Sequence, residues 1–314
     1  MHLGHYIGTL KSRVEMQDAY DTFLLVADYH VLTTKIDRIP DLRRFSIDTV
    51  KDNISVGVNP SKVTYYLQSD VPEVVELSFL FGMLMPLRRL ELVPTLKEKV
   101  KESGGEESAS YGLLGYPVLQ SADILLTKSE VVPVGKDQAS HVETTREIAA
   151  RFNKLFGKTF PEPKALLGKT IPGIDGAEKM GKSLGNALSL SDNSSEVRRK
   201  IMSMYTDPNR IRATDPGTVE GNPVFVYHEM FNSNKAEVED LKDRYRAGKV
   251  GDVEVKEKLF LALDGFLIPI REKRSKIKDS DVLGILAEGA RKVRLIARET
   301  VAEARAAMKI PDLS

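Results

Sequence analysis

Three short runs of apolar, β-prone residues, each set off by helix-like sequence, constrain the fold of this chain more than any other feature. Phe23-Leu24-Leu25-Val26-Ala27 ends in Asp28, Val63-Thr64-Tyr65-Tyr66-Leu67 is rich in β-branched and aromatic residues, and Val131-Val132-Pro133-Val134 is the third. Such runs suit parallel strands buried on both faces. Between the first two, a helical pattern starts near Asp41, with Leu42, Phe45 and Ile54 among its apolar positions. Asn59-Pro60 closes it, because proline disfavours helical geometry in the residue before it. Strands alternating with helices predict an α/β fold built on a doubly wound parallel sheet, in which ligands sit beyond the carboxyl ends of the strands.

After about Ser189 the pattern changes. Residues 196–205, 253–270 and 282–308 read as helices, and no good strand appears. The last has Leu286, Val293, Ile296, Ala297, Val301, Ala304 and Met308 near one face, the stripe of a helix packed on a neighbour. The expected organisation is a Rossmann-like catalytic domain over residues 1–187 and a smaller all-helical domain over 188–314, the last helix packing back on the first domain. Residues 102–110, rich in Gly, Ser and Glu, read as a mobile loop, and there is no internal repeat.

Composition narrows the class. With 314 residues, 41% of them hydrophobic, the chain can build a full core and more than one domain. A net charge of +1 argues against a protein that coats nucleic acid non-specifically, so any RNA contact is a local patch. The absence of cysteine excludes disulfides and thiolate metal sites and points to a reducing, cytoplasmic setting. No apolar run approaches the roughly 18 residues of a membrane span, and the opening residues do not read as a signal peptide.

Two motifs carry chemistry. The chain opens Met1-His2-Leu3-Gly4-His5-Tyr6, and far downstream stands Lys179-Met180-Gly181-Lys182-Ser183. Taken singly, the histidines fit a solvated terminus and the lysines a charged surface loop. Together on an α/β pattern they have one coherent use. Gly4 has no Cβ, so an adenine base can approach the backbone. The imidazoles can donate to phosphate oxygens at a helix start, where the dipole favours anions. The lysines can close over the β- and γ-phosphates that leave as pyrophosphate. No Walker-type loop is present, so this is a site for attack at the α-phosphorus, not a kinase site.

These two motifs resemble the signatures of class I aminoacyl-tRNA synthetases. Residues 112–126, reading Gly-Leu-Leu-Gly-Tyr-Pro-Val-Leu-Gln-Ser-Ala-Asp-Ile-Leu-Leu, then Val132-Pro133-Val134-Gly135-Lys136-Asp137-Gln138, His141 and Arg151-Phe152-Asn153, are similar to tryptophanyl-tRNA synthetases. Val26-Ala27-Asp28-Tyr29-His30, Gln68-Ser69 and Gly289-Ala290-Arg291-Lys292 extend the resemblance over nearly the whole chain. It implies ligation of tryptophan to tRNA(Trp) through an adenylate, with ATP as substrate, Mg²⁺ travelling on the ATP, no metal held by the protein itself, and a homodimer across which tRNA lies. It implies His2, His5, Lys99, Lys179 and Lys182 as catalytic groups. Gly4, His5, Gly135, Lys136, Asp137, Ile171, Lys179, Met180, Gly181, Lys182 and Ser183 would surround ATP, with Gly135 and Asp137 at the ribose. For tryptophan it implies Asp123 as acceptor of the indole N–H, Tyr116 and Gln138 at the α-amino group, Gln120 beside them, Val132 and Val134 along the apolar slot, and His30 at its rim. An acceptor-only carboxylate suits a donor-only indole. On the residues alone, Val132 and Val134 read equally as core, and Asp123 as a structural carboxylate.

The chain departs from the family in three places. Gly181 stands where serine is usual, and Lys136 where an acidic residue is common. Relatives carry a strand and a Pro-Thr-Gly turn before the histidine motif, so the sheet of this chain is expected to lack its first strand, and the reading frame upstream of Met1 to encode one. The alternatives are a tyrosyl-tRNA synthetase, a small nucleotidyltransferase sharing the HxGH motif, and a truncated paralogue that binds tRNA or tryptophan without turnover.

Overall fold

The computed structural model describes residues 1–182, 184–208, 210–212 and 214–311. Contacts group the chain into two units: Met1–Lys11 with Lys169–Lys276, and Ser12–Gly168 with Ile277–Ser314. These units are drawn differently from a boundary after residue 187, because both ends of the chain pack away from their sequence neighbours.

The unit containing Ser12–Gly168 holds all four described strands. β1 (Thr22–Val26) and β2 (Val63–Leu67) pair in parallel, Thr22 opposite Val63 and Val26 opposite Leu67. Helix α1 (Leu42–Ser55) connects them, burying Ile47, Val50 and Ile54. The helix start near Asp41 and the second and third strands fall where the sequence puts them. β3 (Val131–Val134) and β4 (Lys164–Leu167) form a second parallel pair, Val131 opposite Lys164. Among the described residues the strands make two two-stranded sheets, and β1 and β3 each pair along one edge only. An edge left without a ladder leaves backbone groups to be satisfied otherwise.

Around the strands lie α2 (Glu73–Gly82), α3 (Pro94–Glu102), α4 (Tyr111–Leu126), α5 (Ala139–Phe156) and α10 (Asp279–Ala307). Ser110 caps α4, its hydroxyl accepting from the Leu113 N–H at 3.1 Å. In α10 the expected stripe is real: Leu286, Val293, Ala297, Val301 and Ala304 are buried. Its close approach to β2 needs glycine at 289, since a Cβ there would lie 1.7 Å from the Tyr65 carbonyl oxygen. Lys292 then donates to Thr64 Oγ1 at 3.1 Å, and Thr300 Oγ1 to the Leu126 carbonyl at 2.9 Å. The Arg151-Phe152-Asn153 segment is also structural. Phe152 packs edge-on against Phe81 and Phe160, while Asn153 Oδ1 accepts from the Thr159 and Phe160 N–H groups.

The unit containing Lys169–Lys276 is helical, with α6 (Ser194–Met202), α7 (Pro223–Phe231), α8 (Lys235–Arg246) and α9 (Asp252–Lys276). Val197 and Ile201 of α6 and Leu259, Leu263 and Leu267 of α9 are buried where these helices pack. Met1–Leu3 joins this unit by a short antiparallel bridge: Leu3 N–H donates to the Leu188 carbonyl and Leu190 N–H to that of Met1.

Candidate active site

The two signature motifs lie within one unit and touch. The chain turns into a short helix at Leu3–His5, continued by a π-helical stretch at Tyr6–Leu10. Such wide turns are uncommon and recur at functional sites. The His2 N–H donates to His5 Nδ1 at 3.2 Å, and the two rings lie with centroids 3.7 Å apart. Gly4 sits between them and the lysine loop. A Cβ on it would come within 2.9 Å of the His2 ring, so here the absence of a side chain first serves imidazole packing. The Gly4 N–H donates to Met180 Sδ at 3.3 Å, which docks the buried Met180 and carries the loop onto the histidine turn. Burial pushes the His2 imidazole down to about 3, with His5, the terminal amine and Lys182 adding repulsion, so at neutral pH it is an uncharged group.

The loop around Lys179 and Lys182 is held from beneath by a residue that no sequence motif announces. Asn186 is buried, and its Nδ2 donates to the Asp175 carboxylate at 3.0 Å and the Lys179 carbonyl at 3.1 Å. Its Oδ1 accepts from the Gly181 N–H at 2.8 Å. One amide thus brackets Lys179-Met180-Gly181, leaving Lys179 and Lys182 both exposed. A Cβ on Gly181 would meet only the Leu184 side chain, at 3.3 Å, so the serine usual in the family would fit after a small shift of a flexible neighbour. Ile171 is buried at the root of the loop. Ser183 lies outside the described residues.

The remaining candidates gather in the other unit, around a cavity of about 690 Å³ lined by residues of β1, α4 and β3 together with His30 and Lys99. That volume is within the range of roughly 300–1,000 Å³ usual for small-molecule sites. It follows the unpaired edges of both β1 and β3, and at the carboxyl ends of those strands it meets the tryptophan candidates. Val132 and Val134, two residues apart on one face of β3, form one wall. His30, Tyr116, Gln120, Asp123 and Gln138 line the same space. Gln120 Nε2 reaches Gln138 Oε1 at 3.4 Å, and Gln138 Nε2 donates to Asp137 Oδ2 at 3.0 Å. A Cβ on Gly135 would lie 2.7 Å from Asp137 Oδ1, so any larger residue there would push that carboxylate aside. Lys136 is exposed.

Asp123 is buried and already has partners. Gln68 Nε2 donates to both carboxylate oxygens at 2.9 Å, and His30 Nε2 lies 3.1 Å from Oδ2. Burial raises its carboxyl above the ordinary range, while the hydrogen bonds from His30 and Gln68 pull the other way. Tyr116 belongs to a second network. Its hydroxyl donates to Thr95 Oγ1 at 3.1 Å and lies 3.2 Å from His141 Nε2, itself 2.7 Å from Thr95 Oγ1. Burial, with Lys99 nearby, pushes His141 down to about 4, so this imidazole is neutral. Lys99 lies 4.2 Å above the Tyr116 ring, and burial lowers its pKa. Thr95 carries no sequence signal, because a single polar residue in an apolar stretch has no pattern to announce it, whereas His141 and Gln68 stand in the segments that carry the resemblance, which gives neither a role.

A family description of class I tRNA synthetases for tryptophan and tyrosine matches residues 1–267. The chain belongs to this family. The tryptophan–tRNA ligase of Borreliella burgdorferi is 50% identical over 319 residues, covering 97% of this chain and 89% of that one. That of Treponema pallidum is 49% identical, covering 98% and 93%. A crystal structure of the tryptophanyl-tRNA synthetase from Campylobacter jejuni, complexed with ADP and tryptophan, superposes with a TM-score of 0.86 at 33% identity, covering 99% of this chain and 96% of that one. The synthetase fold of mixed α/β, parallel strands and a helical C-terminal part is the one expected, and membership in this family removes the small nucleotidyltransferase. Among the described residues no helix is long and apolar enough to cross a membrane.

Proposed function

We infer that the two groups of residues divide a ligase reaction between them. The chain is a tryptophan–tRNA ligase: tryptophan and ATP give tryptophanyl-adenylate and pyrophosphate, and the adenylate then acylates tRNA(Trp). Neutral His2, and His5 beside it, donate to phosphate oxygens, and Lys179 and Lys182 offset the charge that develops on departing pyrophosphate, with Lys99 as a further phosphate ligand. Gly4, Gly135, Lys136, Asp137, Ile171 and the loop from Lys179 to Ser183 are assigned to ATP. No general base is required, because the substrate carboxylate is itself the nucleophile. Mg²⁺ is assigned to the ATP, not to a protein site.

In the cavity, Val132 and Val134 pack against the indole, Asp123 accepts from its N–H, and Tyr116 and Gln138 hold the α-amino group, with Gln120 and His30 alongside. The observation that carries this reading is a buried carboxylate, 7% exposed, opening onto a cavity with an apolar wall. Gln68 and His30 already donate to it, and as a lining residue of the cavity it can accept one more bond, from a donor-only indole. The protein has no tryptophan of its own, so indole emission reports bound ligand directly. Tryptophan affinity should fall in the order wild type, Asp123→Asn, Asp123→Ala, and discrimination against phenylalanine should fall with it. Undiminished binding by Asp123→Ala would remove this assignment.

Residues 188–314 are assigned to the anticodon end of tRNA, and the protein to the cytoplasm, in keeping with its lack of cysteine. A homodimer is supported by an unpartnered apolar stripe. Val75, Phe79 and Met83 recur every four residues along and just beyond α2, each more than half exposed, with Leu87 also exposed. Phe79→Glu should yield a monomer in sedimentation analysis.

A further inference from the structure

The tryptophan pocket is set from behind by a residue that lies outside its wall. Gln68 opens the 3₁₀ turn Gln68–Asp70 at the end of β2 and is 1% exposed. Its Oε1 accepts from the His30 backbone N–H at 3.3 Å, and this fixes which way the amide points: Nε2 must face Asp123. It donates there to Oδ1 and Oδ2 at equal distance, 2.9 Å. A carboxylate offers about four lone-pair directions. Oδ2 is taken by both Gln68 and His30, whereas among the described residues Oδ1 receives Gln68 alone. Removing Gln68 would leave the carboxylate to His30 and free to rotate.

We propose that Gln68 is a specificity-determining positioning residue, which holds the Asp123 carboxylate so that Oδ1 keeps a free lone pair aimed at the indole N–H. The proposal rests on the reading of Asp123 as the indole acceptor. It also makes a statement about protonation. Asp123 faces His30 and Asp28 from the turn after β1 and the Tyr66 hydroxyl from β2, all inside a desolvated site. Two donated hydrogen bonds from Gln68 favour the ionised form, so their loss moves protonation of Asp123 to higher pH.

The test is calorimetric binding of two ligands by the full-length protein. One is tryptophan and the other its analogue with sulfur in place of the indole N–H. Gln68→Met, similar in size and unable to donate, should raise the tryptophan Kd roughly ten- to a hundredfold. It should leave the sulfur analogue within about twofold, since no N–H is left to lose, and shift the acid limb of tryptophan binding to higher pH. Gln68→Met added to Asp123→Ala should cost nothing more, as expected of a residue acting through another. Equal weakening of both ligands would mean general loss of packing and overturn the proposal, as would an unchanged tryptophan Kd. If Asp123→Ala weakens tryptophan binding while Gln68→Met does not, only the role of Gln68 falls. If Asp123→Ala has no effect, the reading beneath it falls as well. Gln68→Glu keeps the shape should the methionine form not fold. Its carboxylate beside Asp123 should make tryptophan binding improve as pH falls, the reverse of wild type, and a wild-type profile would again overturn the proposal.

Discussion

Replacing Asn186 by alanine should cripple adenylate formation while sparing tryptophan binding. The substitution deletes donation to Asp175 and to the Lys179 carbonyl and leaves the Gly181 N–H without its acceptor. A neutral hydrogen bond is worth about 0.5–1.5 kcal/mol net and one to a charged group about 1.5–3 kcal/mol. Asp175 is exposed, so water replaces much of its share, and the two backbone contacts dominate. The ordered loop should therefore lose about 2–3 kcal/mol relative to looser arrangements. If the lysines act only from that ordered form, the rate of ATP–pyrophosphate exchange falls roughly thirty- to a hundred-and-sixtyfold. Tryptophan affinity, read from ligand fluorescence, should stay within about twofold, because none of these atoms lines the cavity. Asn186→Asp adds like-charge repulsion against Asp175 and should be no better than alanine, whereas combining it with Asp175→Asn removes that repulsion and should recover only part of the rate, because a carboxylate at 186 cannot donate to the Lys179 carbonyl. Wild-type exchange by Asn186→Ala would show that the bracket has no part in catalysis.

Other consequences are simpler. Lys179→Ala and Lys182→Ala should each slow exchange by about 3–4 kcal/mol of transition-state free energy with little change in tryptophan affinity. Gly289→Ala forces backbone apart where α10 meets β2, 1.7 Å from the Tyr65 oxygen, and should lower Tm by several degrees in calorimetry. His141 gives stability a pH dependence. Its folded-state value of about 4 lies below the ordinary imidazole value of about 6.5, so between the two the unfolded chain binds more protons. Stability is then full above about pH 6.5 and declines as pH falls toward 4, and His141→Gln should flatten that part of a urea-denaturation profile.

Much of the fold is legible in the amino-acid sequence, and the exceptions have physical causes. β2 and β3 match their apolar runs to the residue, and β1 starts one residue early, because a buried parallel strand is a continuous apolar run. β4 escapes such a reading: Lys164–Leu167 is exposed at every position and starts on a lysine, so burial imposes no pattern on it. The helix expected at 196–205 lies at Ser194–Met202, and its start is legible in Asn193, whose side chain caps the Glu196 N–H at 2.9 Å. α9 outruns its expected end at 270 and reaches Lys276 despite Pro269, because charged residues continue a helix that packing has already fixed. α7 and α8 fall outside the expected helices. α7 is only nine residues long, too short to show a clear period, and α8 keeps Val238, Leu241 and Tyr245 as a thin apolar stripe among charged residues. At the site, the motifs announce His2, His5, Lys179 and Lys182. The residues that orient them and the pocket, Asn186, Gln68 and Thr95, act through contacts that no local periodicity encodes.

The central claim, that this chain activates tryptophan, is tested most directly by ATP–pyrophosphate exchange measured with each of the twenty amino acids. The account predicts exchange driven by tryptophan, with tyrosine and phenylalanine far below it, and collapse of the tryptophan signal in Lys182→Ala. Exchange driven by tyrosine would contradict the assignment of the Asp123 cavity. Exchange with no amino acid, despite tight tryptophan binding, would mark the chain as a binding protein without turnover.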